Sequence, residues 1–189
     1  MSLRISFNLR DEDLRHFEER AQQTQANARL RSAEDIIVDA RAVLEAASQA
    51  QLASFVRERF NRLSAMLEMA SDADWTLASE DRQRLLNALA CFGHSQSAVD
   101  EKVGFLDHAI MVELVSRDLE HDLAAYRDFC SHRTSRAKRK RPGTDQQTQR
   151  EQWLQQTREA LQDRMHLRRT RSLERAGSSV RRLFSLFGL

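Results

Sequence analysis

The sequence predicts an all-α protein: a helical bundle of about five helices, followed by a basic linker and C-terminal amphipathic helices. Turn residues are scarce, since the 189 residues include only 1 proline and 5 glycines. Sheet-containing folds need many such residues, whereas long helices need few. The good helix formers Ala, Leu, Glu, Gln and Arg dominate the composition. Apolar residues make up 41% of the chain, which is enough for one hydrophobic core.

Hydrophobic periodicity divides the first 130 residues into five amphipathic helices. Asp11, Ser32 and Ser79 are suitable N-caps for the first, second and fourth of them. Between the third and fourth helices, we expect Trp75 and Leu77 to pack onto the core. The fifth helix is the longest and is the best candidate for the central helix. The predicted helices cover about 11–28, 32–47, 52–70, 79–92 and 105–129.

The net charge changes sign after residue 130. Residues 1–130 carry 15 basic and 23 acidic residues, a net charge of −8, and residues 131–189 carry 15 and 5, a net charge of +10. We therefore expect an acidic helical core domain over 1–130, a basic linker over 131–147 and a basic amphipathic helical tail over 148–189. Such an asymmetry indicates a tail that meets something anionic, either nucleic acid, a membrane surface or the protein's own acidic body.

A basic patch lies in the predicted linker, immediately before the only proline of the chain. It comprises Arg136, Lys138, Arg139, Lys140 and Arg141. These side chains could contact phosphates in the sequence-independent, salt-sensitive manner of many nucleic-acid-binding proteins. The segment lacks the interleaved aromatic residues on which single-stranded bases stack. An extended charged linker is therefore the simpler interpretation, and nucleic acid ranks below a membrane as the anionic partner.

The last ten residues form a separate amphipathic segment. The contact residues we expect in it are Arg181, Arg182, Leu183, Phe184 and Phe187. Full burial of a large apolar side chain is worth about 1.5 to 3 kcal/mol. Each arginine near an anionic lipid surface adds about 1 kcal/mol. A membrane interface, the groove of a protein partner and the protein's own body compete to cover this segment.

Two groups of residues have the chemistry of metal ligands. Cys91, His94, Cys130 and His132 would make a zinc site only if the ends of the fourth and fifth helices met, and their spacing is unusual for one. Two buried thiols are the simpler interpretation of the cysteines.

The fifth helix carries the second group. Asp118 and His121 have the three-residue spacing of a helical carboxylate–imidazole metal pair, and with Asp107 they define an alternative hypothesis, a metal-dependent enzyme. The simpler interpretation is a solvated acidic face paired with Arg117 and Arg127. We predict no bound metal, no cofactor and no catalytic residue, because the chain contains no nucleotide-binding or hydrolase motif.

The sequence alone indicates no targeting segment and no membrane-spanning segment. Its first residues lack the apolar region of a secretory signal. No stretch approaches the roughly 20 apolar residues that a transmembrane helix needs. Only two cysteines are present, too few for a disulfide framework. We expect a cytoplasmic protein, peripheral at the inner face of the membrane if the tail binds lipid.

The segment from Gly104 to Cys130, GFLDHAIMVELVSRDLEHDLAAYRDFC, resembles the YkvA-like family, a bacterial domain of unknown function. In that family a helix ending in an aromatic pair leads through an Ile-Pro-Asp turn to a Gly-Phe-Leu-Asp-Asp-Ala start of a long helix. Here Asp100 stands at the aspartate of the turn and Asp107 at the first aspartate of the pair, while His108 replaces the second. The loop is shorter and lacks the usual prolines. The resemblance implies a helical fold, a membrane association in some relatives and no particular reaction.

Together these features favour a non-enzymatic interaction or adaptor protein. Its basic amphipathic tail would engage an anionic surface, a membrane before nucleic acid, or a protein partner. The sequence leaves open the oligomeric state, the partner and the physiological role.

Overall fold

The computed structural model describes residues 31–93, 101–138 and 146–175, together with six isolated positions between Arg10 and Thr24. The prediction of an all-α protein is confirmed, since the described residues form helices and no strand. The helices are α1 (Ala33–Gln49), α2 (Ser54–Ser71), α3 (Ser79–Ala90), α4 (Glu101–Asp118), α5 (Glu120–Lys138) and α6 (Gln146–Arg175). The predicted first helix lies largely outside the described residues, although the positions described at 12, 15, 19, 23 and 24 are helical.

Local sequence signals explain where α1 and α3 begin. The hydroxyl of Ser32 accepts a hydrogen bond from the backbone N–H of Asp35 at 3.1 Å, the N-cap contact expected from the sequence. α3 begins differently: Ala78 occupies the N-cap position and Ser79 is the first helical residue. The carbonyl of Ala78 accepts from Arg82 N at 2.9 Å, which starts the helix without a side-chain cap.

The hydrophobic core lies around α2, which packs against α1, α3, α4 and α5. The fifth predicted helix is therefore not the only helix at the centre. Trp75 is fully buried and Leu77 packs at the edge of the core, as the sequence predicted. Trp75 lies 5.7 Å from the Tyr126 ring and 5.1 Å from the Phe129 ring between centroids. The largest buried side chains are Trp75, Phe92, Phe129, Leu63, Met66, Leu85, Leu89, Leu119 and Met165.

The single long helix predicted from 105 to 129 is two helices, α4 and α5, which meet at Leu119. Arg84 of α3 donates from Nη2 to the carbonyl of Asp118 at 3.4 Å, so a side chain competes for the backbone at the break. Leu119 N still donates to Val115 O, and Leu123 N to Leu119 O. Because these bonds continue the helical repeat through the break, the hydrophobic periodicity alone could not reveal it.

The predicted linker begins later than the sequence indicated, because residues 131–138 continue α5. A run of basic residues is compatible with a helix whose charged face stays in water, so charge alone did not mark the end of the helix. Residues 139–145 lie outside the described residues. Beyond them α6 packs along α5, and Leu154, Leu161 and Met165 join the same hydrophobic core as α1 to α5. Among the described helices, none combines the length and apolar character needed to cross a membrane.

Candidate functional site

Five buried charged residues meet where α3, the α4–α5 junction and α6 come together. We call this group the buried charge cluster: Asp81 and Arg84 of α3, Asp118 and Asp122 at the junction, and Arg169 of α6. Asp122 is 2% exposed and Asp81 3% exposed, and the side chain of Arg169 is 12% exposed. Charged residues of this kind are seldom fully buried unless they are paired.

Arg169 forms the centre of the pairing. Its Nη1 donates to Asp81 Oδ1 at 2.7 Å, and its Nη2 donates to Asp122 Oδ1 at 2.6 Å. Arg84 approaches the same Asp122 oxygen from the other side, with Nη1 at 3.3 Å. One arginine of α6 therefore joins carboxylates of two helices that belong to the acidic part of the chain.

Two histidines extend these polar contacts along α6. His166 Nε2 lies 2.7 Å from Asp81 Oδ2, and His121 Nε2 lies 2.7 Å from the hydroxyl of Ser172. The fully buried apolar side chains of α6 end at Met165. The part of α6 beyond Met165 is thus held on the body mainly by polar and titratable groups.

The buried charge cluster has more carboxylates than guanidinium groups, three against two. Within the described residues, Asp118 Oδ2, Asp122 Oδ2 and the Nε atoms of Arg84 and Arg169 are buried without a hydrogen-bond partner. Burial raises the pKa of Asp118, and the nearby Asp122 adds to that rise, whereas Arg84 and Arg169 oppose it; the net result is a pKa of about 7.

The pKa of Asp81 moves in the other direction. Burial alone would raise it, but the hydrogen bonds from His166 and Arg169 outweigh burial and lower it below its usual range. Burial raises the pKa of Asp122, while the guanidinium groups of Arg169 and Arg84 oppose that rise. Two neighbouring carboxyl groups, Asp81 and Asp118, are therefore shifted in opposite directions by their surroundings.

A second polar group holds the connection between α2 and α3, and we call it the loop clamp. Arg133 donates to Asp72 and Asp74, at 3.0 and 3.1 Å, and the hydroxyl of Tyr126 donates to Asp72 at 3.0 Å. From α6, Gln162 Nε2 donates to the carbonyls of Trp75 and Thr76 at 3.2 and 3.0 Å. Arg158 likewise donates to the carbonyl of Asp74 at 3.3 Å. The loop clamp thus places Trp75 between α5 and α6.

Another face of α6 carries a row of arginines that we call the arginine stripe: Arg164, Arg168, Arg171 and Arg175. Spacings of four, three and four residues place them on one face of the helix, over about 16 Å of its length. All four are exposed, and within the part of the chain that the structure describes none forms an ion pair or a side-chain hydrogen bond. The arginines of α6 are therefore divided between the interior and the solvent.

The residues of the alternative metal site do not form one site. Asp118 lies in the buried charge cluster, His121 faces Ser172 and Asp107 is half-buried on α4. The carboxylate of Asp122 pairs with Arg84 and Arg169 rather than with the predicted Arg117 or Arg127, and among the described residues the carboxyl group of Asp118 forms no ion pair. The described residues include no group of three or more His, Cys, Asp or Glu able to hold a metal ion.

Cys91 is a buried thiol, as the simpler interpretation predicted. Cys130 is only half-buried, so it agrees with that interpretation in part. Neither of these two described cysteines forms a disulfide. His132 is exposed near the middle of α5, and His94 lies outside the described residues.

The family-motif positions lie at the start of α4. Gly104 is within α4, and Asp100 is outside the described residues. His108, which stands where the family has an aspartate, is 7% exposed, and its ring lies 6.2 Å from that of Phe92 between centroids. At position 108 the structure therefore has a buried imidazole packed against an aromatic ring.

The basic patch and the tail are described only in part. The guanidinium of Arg136 lies 4.7 Å above the ring of Trp153, a cation–π contact between α5 and α6. Lys138 is the last residue of α5. The remaining patch residues, 139–141, and the predicted contact residues, 181–187, lie outside the described residues.

The sequence does not single out Asp81, Arg84, His166 or Arg169 as site residues. A signal for two of them was present. Arg169 follows Leu161 and Met165 at four-residue steps, so it continues their buried face. Arg84 likewise directly precedes Leu85 and Leu86 on a short helix that is buried on most sides.

Comparison of the chain with protein-family models, with curated proteins and with solved structures gives no match. The resemblance to the YkvA-like family therefore stays a prediction.

Proposed function

We propose that the protein is a non-enzymatic interaction protein whose C-terminal region engages an anionic surface, in the first place the phosphate groups of a membrane. The observation that carries this proposal is the arginine stripe. Four exposed guanidinium groups share one face of α6 and have no partner among the described residues. Guanidinium groups bind phosphate through paired hydrogen bonds, which makes arginine well suited to such a surface.

The division of the arginines on α6 supports the proposal. Arg158 and Arg169 face the body, where they bind the loop clamp and the buried charge cluster. The arginines of the stripe make no such contacts. If the arginines of α6 served only to dock the helix on the body, a second row of arginines facing the solvent would not be required.

The position of the arginine stripe also supports a membrane as the anionic partner. It ends at Arg175, next to residues 176–189, in which the sequence places Arg181, Arg182, Phe184 and Phe187. Basic groups beside large apolar side chains are the combination that gives reversible binding at a lipid interface. Duplex nucleic acid would use the basic groups and leave the phenylalanines without a role.

The proposal is tested by sedimentation with vesicles of phosphatidylserine and phosphatidylcholine, compared with vesicles of phosphatidylcholine alone. We expect the full chain to sediment with the anionic vesicles and much less with the neutral ones, and high salt to weaken the binding by screening. The four changes Arg164→Gln, Arg168→Gln, Arg171→Gln and Arg175→Gln should weaken partition at least tenfold. Each arginine near the surface contributes about 1 kcal/mol, so four exceed the roughly 1.4 kcal/mol that a tenfold change requires.

A matched control removes four other exposed arginines, one each from α1, α3, α4 and α5: Arg41→Gln, Arg82→Gln, Arg117→Gln and Arg127→Gln. Both variants change the net charge by the same amount, so a difference between them isolates the position of the charge. Equal binding of the two variants would refute the arginine stripe as the contact. Binding to duplex DNA without binding to vesicles would replace the membrane with nucleic acid.

A further inference from the structure

The buried charge cluster lacks one positive charge. Three aspartates face two arginines there, and Asp118 Oδ2 is buried without a hydrogen-bond partner among the described residues. Burying an ionised carboxylate without a partner is so unfavourable that such a group takes up a proton instead. His166 cannot compensate for Asp118 directly, since it is bonded to Asp81 at the edge of the cluster.

We propose that Asp118 holds an exchangeable proton in the folded protein, and that loss of this proton as the pH rises loosens the hold of residues 166–175 of α6 on the body. The buried charge cluster would then act as a proton-dependent latch on the helix that carries the arginine stripe. The proposal does not rest on what the stripe binds, because it concerns the free protein.

The geometry connects the proton with α6. Arg169 reaches across the cluster from α6 to Asp81 and Asp122, and it shields the carboxyl groups from water on that side. If residues 166–175 move away, water reaches Asp118 and favours its ionised form. An ionised Asp118 therefore favours the open arrangement, and a protonated Asp118 favours the closed one.

The direction of the titration agrees with this geometry. Burial raises the pKa of Asp118 to about 7, whereas an exposed aspartate titrates near 4. At a pH between these two pKa values, Asp118 carries the proton in the closed form and not in the open form. Raising the pH toward 7 therefore lowers the stability of the closed form relative to the open form. Above that pH both forms are ionised, and no further change is expected from this group.

Arg84, Asp122 and Arg169 act directly on the pKa of Asp118, and Asp81 and the two histidines belong to the same group of polar contacts. Asp81 and Arg84 belong to α3, Asp122 and His121 to α5, and His166 and Arg169 to α6. The arginines stay charged throughout, and the lowered pKa of Asp81 keeps it ionised near neutral pH. Asp122, whose pKa burial also raises, and the two histidines are present in wild type and in an Asp118 variant alike, so a difference between the two proteins reports on Asp118.

The test is hydrogen–deuterium exchange of the amides of residues 166–175 in the full chain, at pH 6, 7 and 8, corrected for the intrinsic exchange rate. We expect wild-type protection to fall roughly tenfold from pH 6 to pH 8, as one proton with a midpoint near 7 requires. Asp118→Asn mimics the protonated carboxyl group and should keep its protection over this range. Asp128→Asn, an exposed aspartate of α5, is the matched control and should behave as wild type.

The proposal is overturned if wild type and Asp118→Asn show the same dependence of protection on pH. A second measurement needs no variant. Carbon NMR of the assigned aspartate carboxyl groups in wild type should show Asp118 titrating near neutral pH. If every aspartate carboxyl group titrates below pH 5, Asp118 holds no such proton.

Discussion

Arg169 Nη2 lies 2.6 Å from Asp122 Oδ1, and this contact joins the basic C-terminal region to the centre of the acidic body. The sequence places the two residues on opposite sides of a predicted domain boundary. In the structure they share a buried site with Asp81 and Arg84. At this site, therefore, the opposite charges of the two parts of the chain pair with each other within the molecule.

Arg169→Met should destabilise the protein strongly. The change keeps much of the side-chain volume but leaves Asp81 and Asp122 without their shared partner, and breaking a buried ion pair costs about 3 to 5 kcal/mol. Arg168→Met, at the exposed neighbouring position, should change the free energy of unfolding by no more than about 0.5 kcal/mol. Denaturant unfolding of both variants measures the difference. Similar small losses in the two would mean that water already stabilises the buried carboxylates.

The two tryptophans provide a second paired comparison. Trp75 is fully buried against Tyr126 and Phe129, so Trp75→Ala should lower the free energy of unfolding by about 3 to 5 kcal/mol. Trp153 is only half-buried and covers the side chain of Arg136. Trp153→Ala should therefore cost clearly less, and thermal unfolding of both variants can rank them. The reverse order would contradict the position of Trp75 in the core.

Acid should destabilise the protein in part through Asp81. The pKa of Asp81 is lower in the folded protein than the value of 3.8 for an unperturbed aspartate. Its contribution to stability is therefore present above about pH 4 and is lost as the pH falls through the folded-state pKa. Asp81→Asn should be less stable than wild type at neutral pH and should lose less stability between pH 4 and pH 2.5.

Thermal melts over this pH range measure that effect, with Asp163→Asn as an exposed control on α6. Parallel curves for wild type and Asp81→Asn below pH 4 would show that other groups cause the acid sensitivity. Asp72, whose pKa is also lowered, is the first of these to examine.

Truncation tests the predicted domain boundary. The sequence predicted that residues 1–130 fold alone, but α6 supplies Leu154, Leu161 and Met165 to the common core. Their burial alone is worth about 1.5 to 3 kcal/mol each, against a total stability of about 5 to 15 kcal/mol for an ordinary domain. We expect a chain ending at Gly143 to lose cooperative thermal unfolding and a chain ending at Arg175 to keep it. Cooperative unfolding of the shorter chain would restore the boundary near residue 130.

Much of the fold could be predicted from the sequence, because helix formation depends on local signals. The paucity of glycine and proline and the periodicity of residues 32–92 were sufficient to place α1, α2 and α3 to within a few residues. The break at Leu119 could not be predicted, since it depends on Arg84, a residue distant in sequence that donates to the backbone of Asp118.

The buried charge cluster could not be predicted from the sequence for a related reason. Asp118 and Asp122 are spaced like residues of a solvated helical face, and only the three-dimensional position of Arg169 shows that they are buried. A charged side chain on its own does not indicate where its partner is. The basic patch and the tail were recognisable because their signal is compositional, and their role stays a prediction.

The contacts of α6 with Asp74, Trp75 and Asp81 join residues 84 to 88 positions apart, whereas most other helix contacts involve nearer neighbours along the chain. Distant contacts form late in folding, because closing a long loop costs entropy before the contact is made. We therefore expect the buried charge cluster to be absent from the folding transition state. Substitutions such as Arg169→Met should then accelerate unfolding and leave the refolding rate nearly unchanged in stopped-flow measurements. On that basis, the contact of Arg169 with Asp81, 88 positions away in the sequence, governs how long the folded molecule persists rather than how quickly it arises.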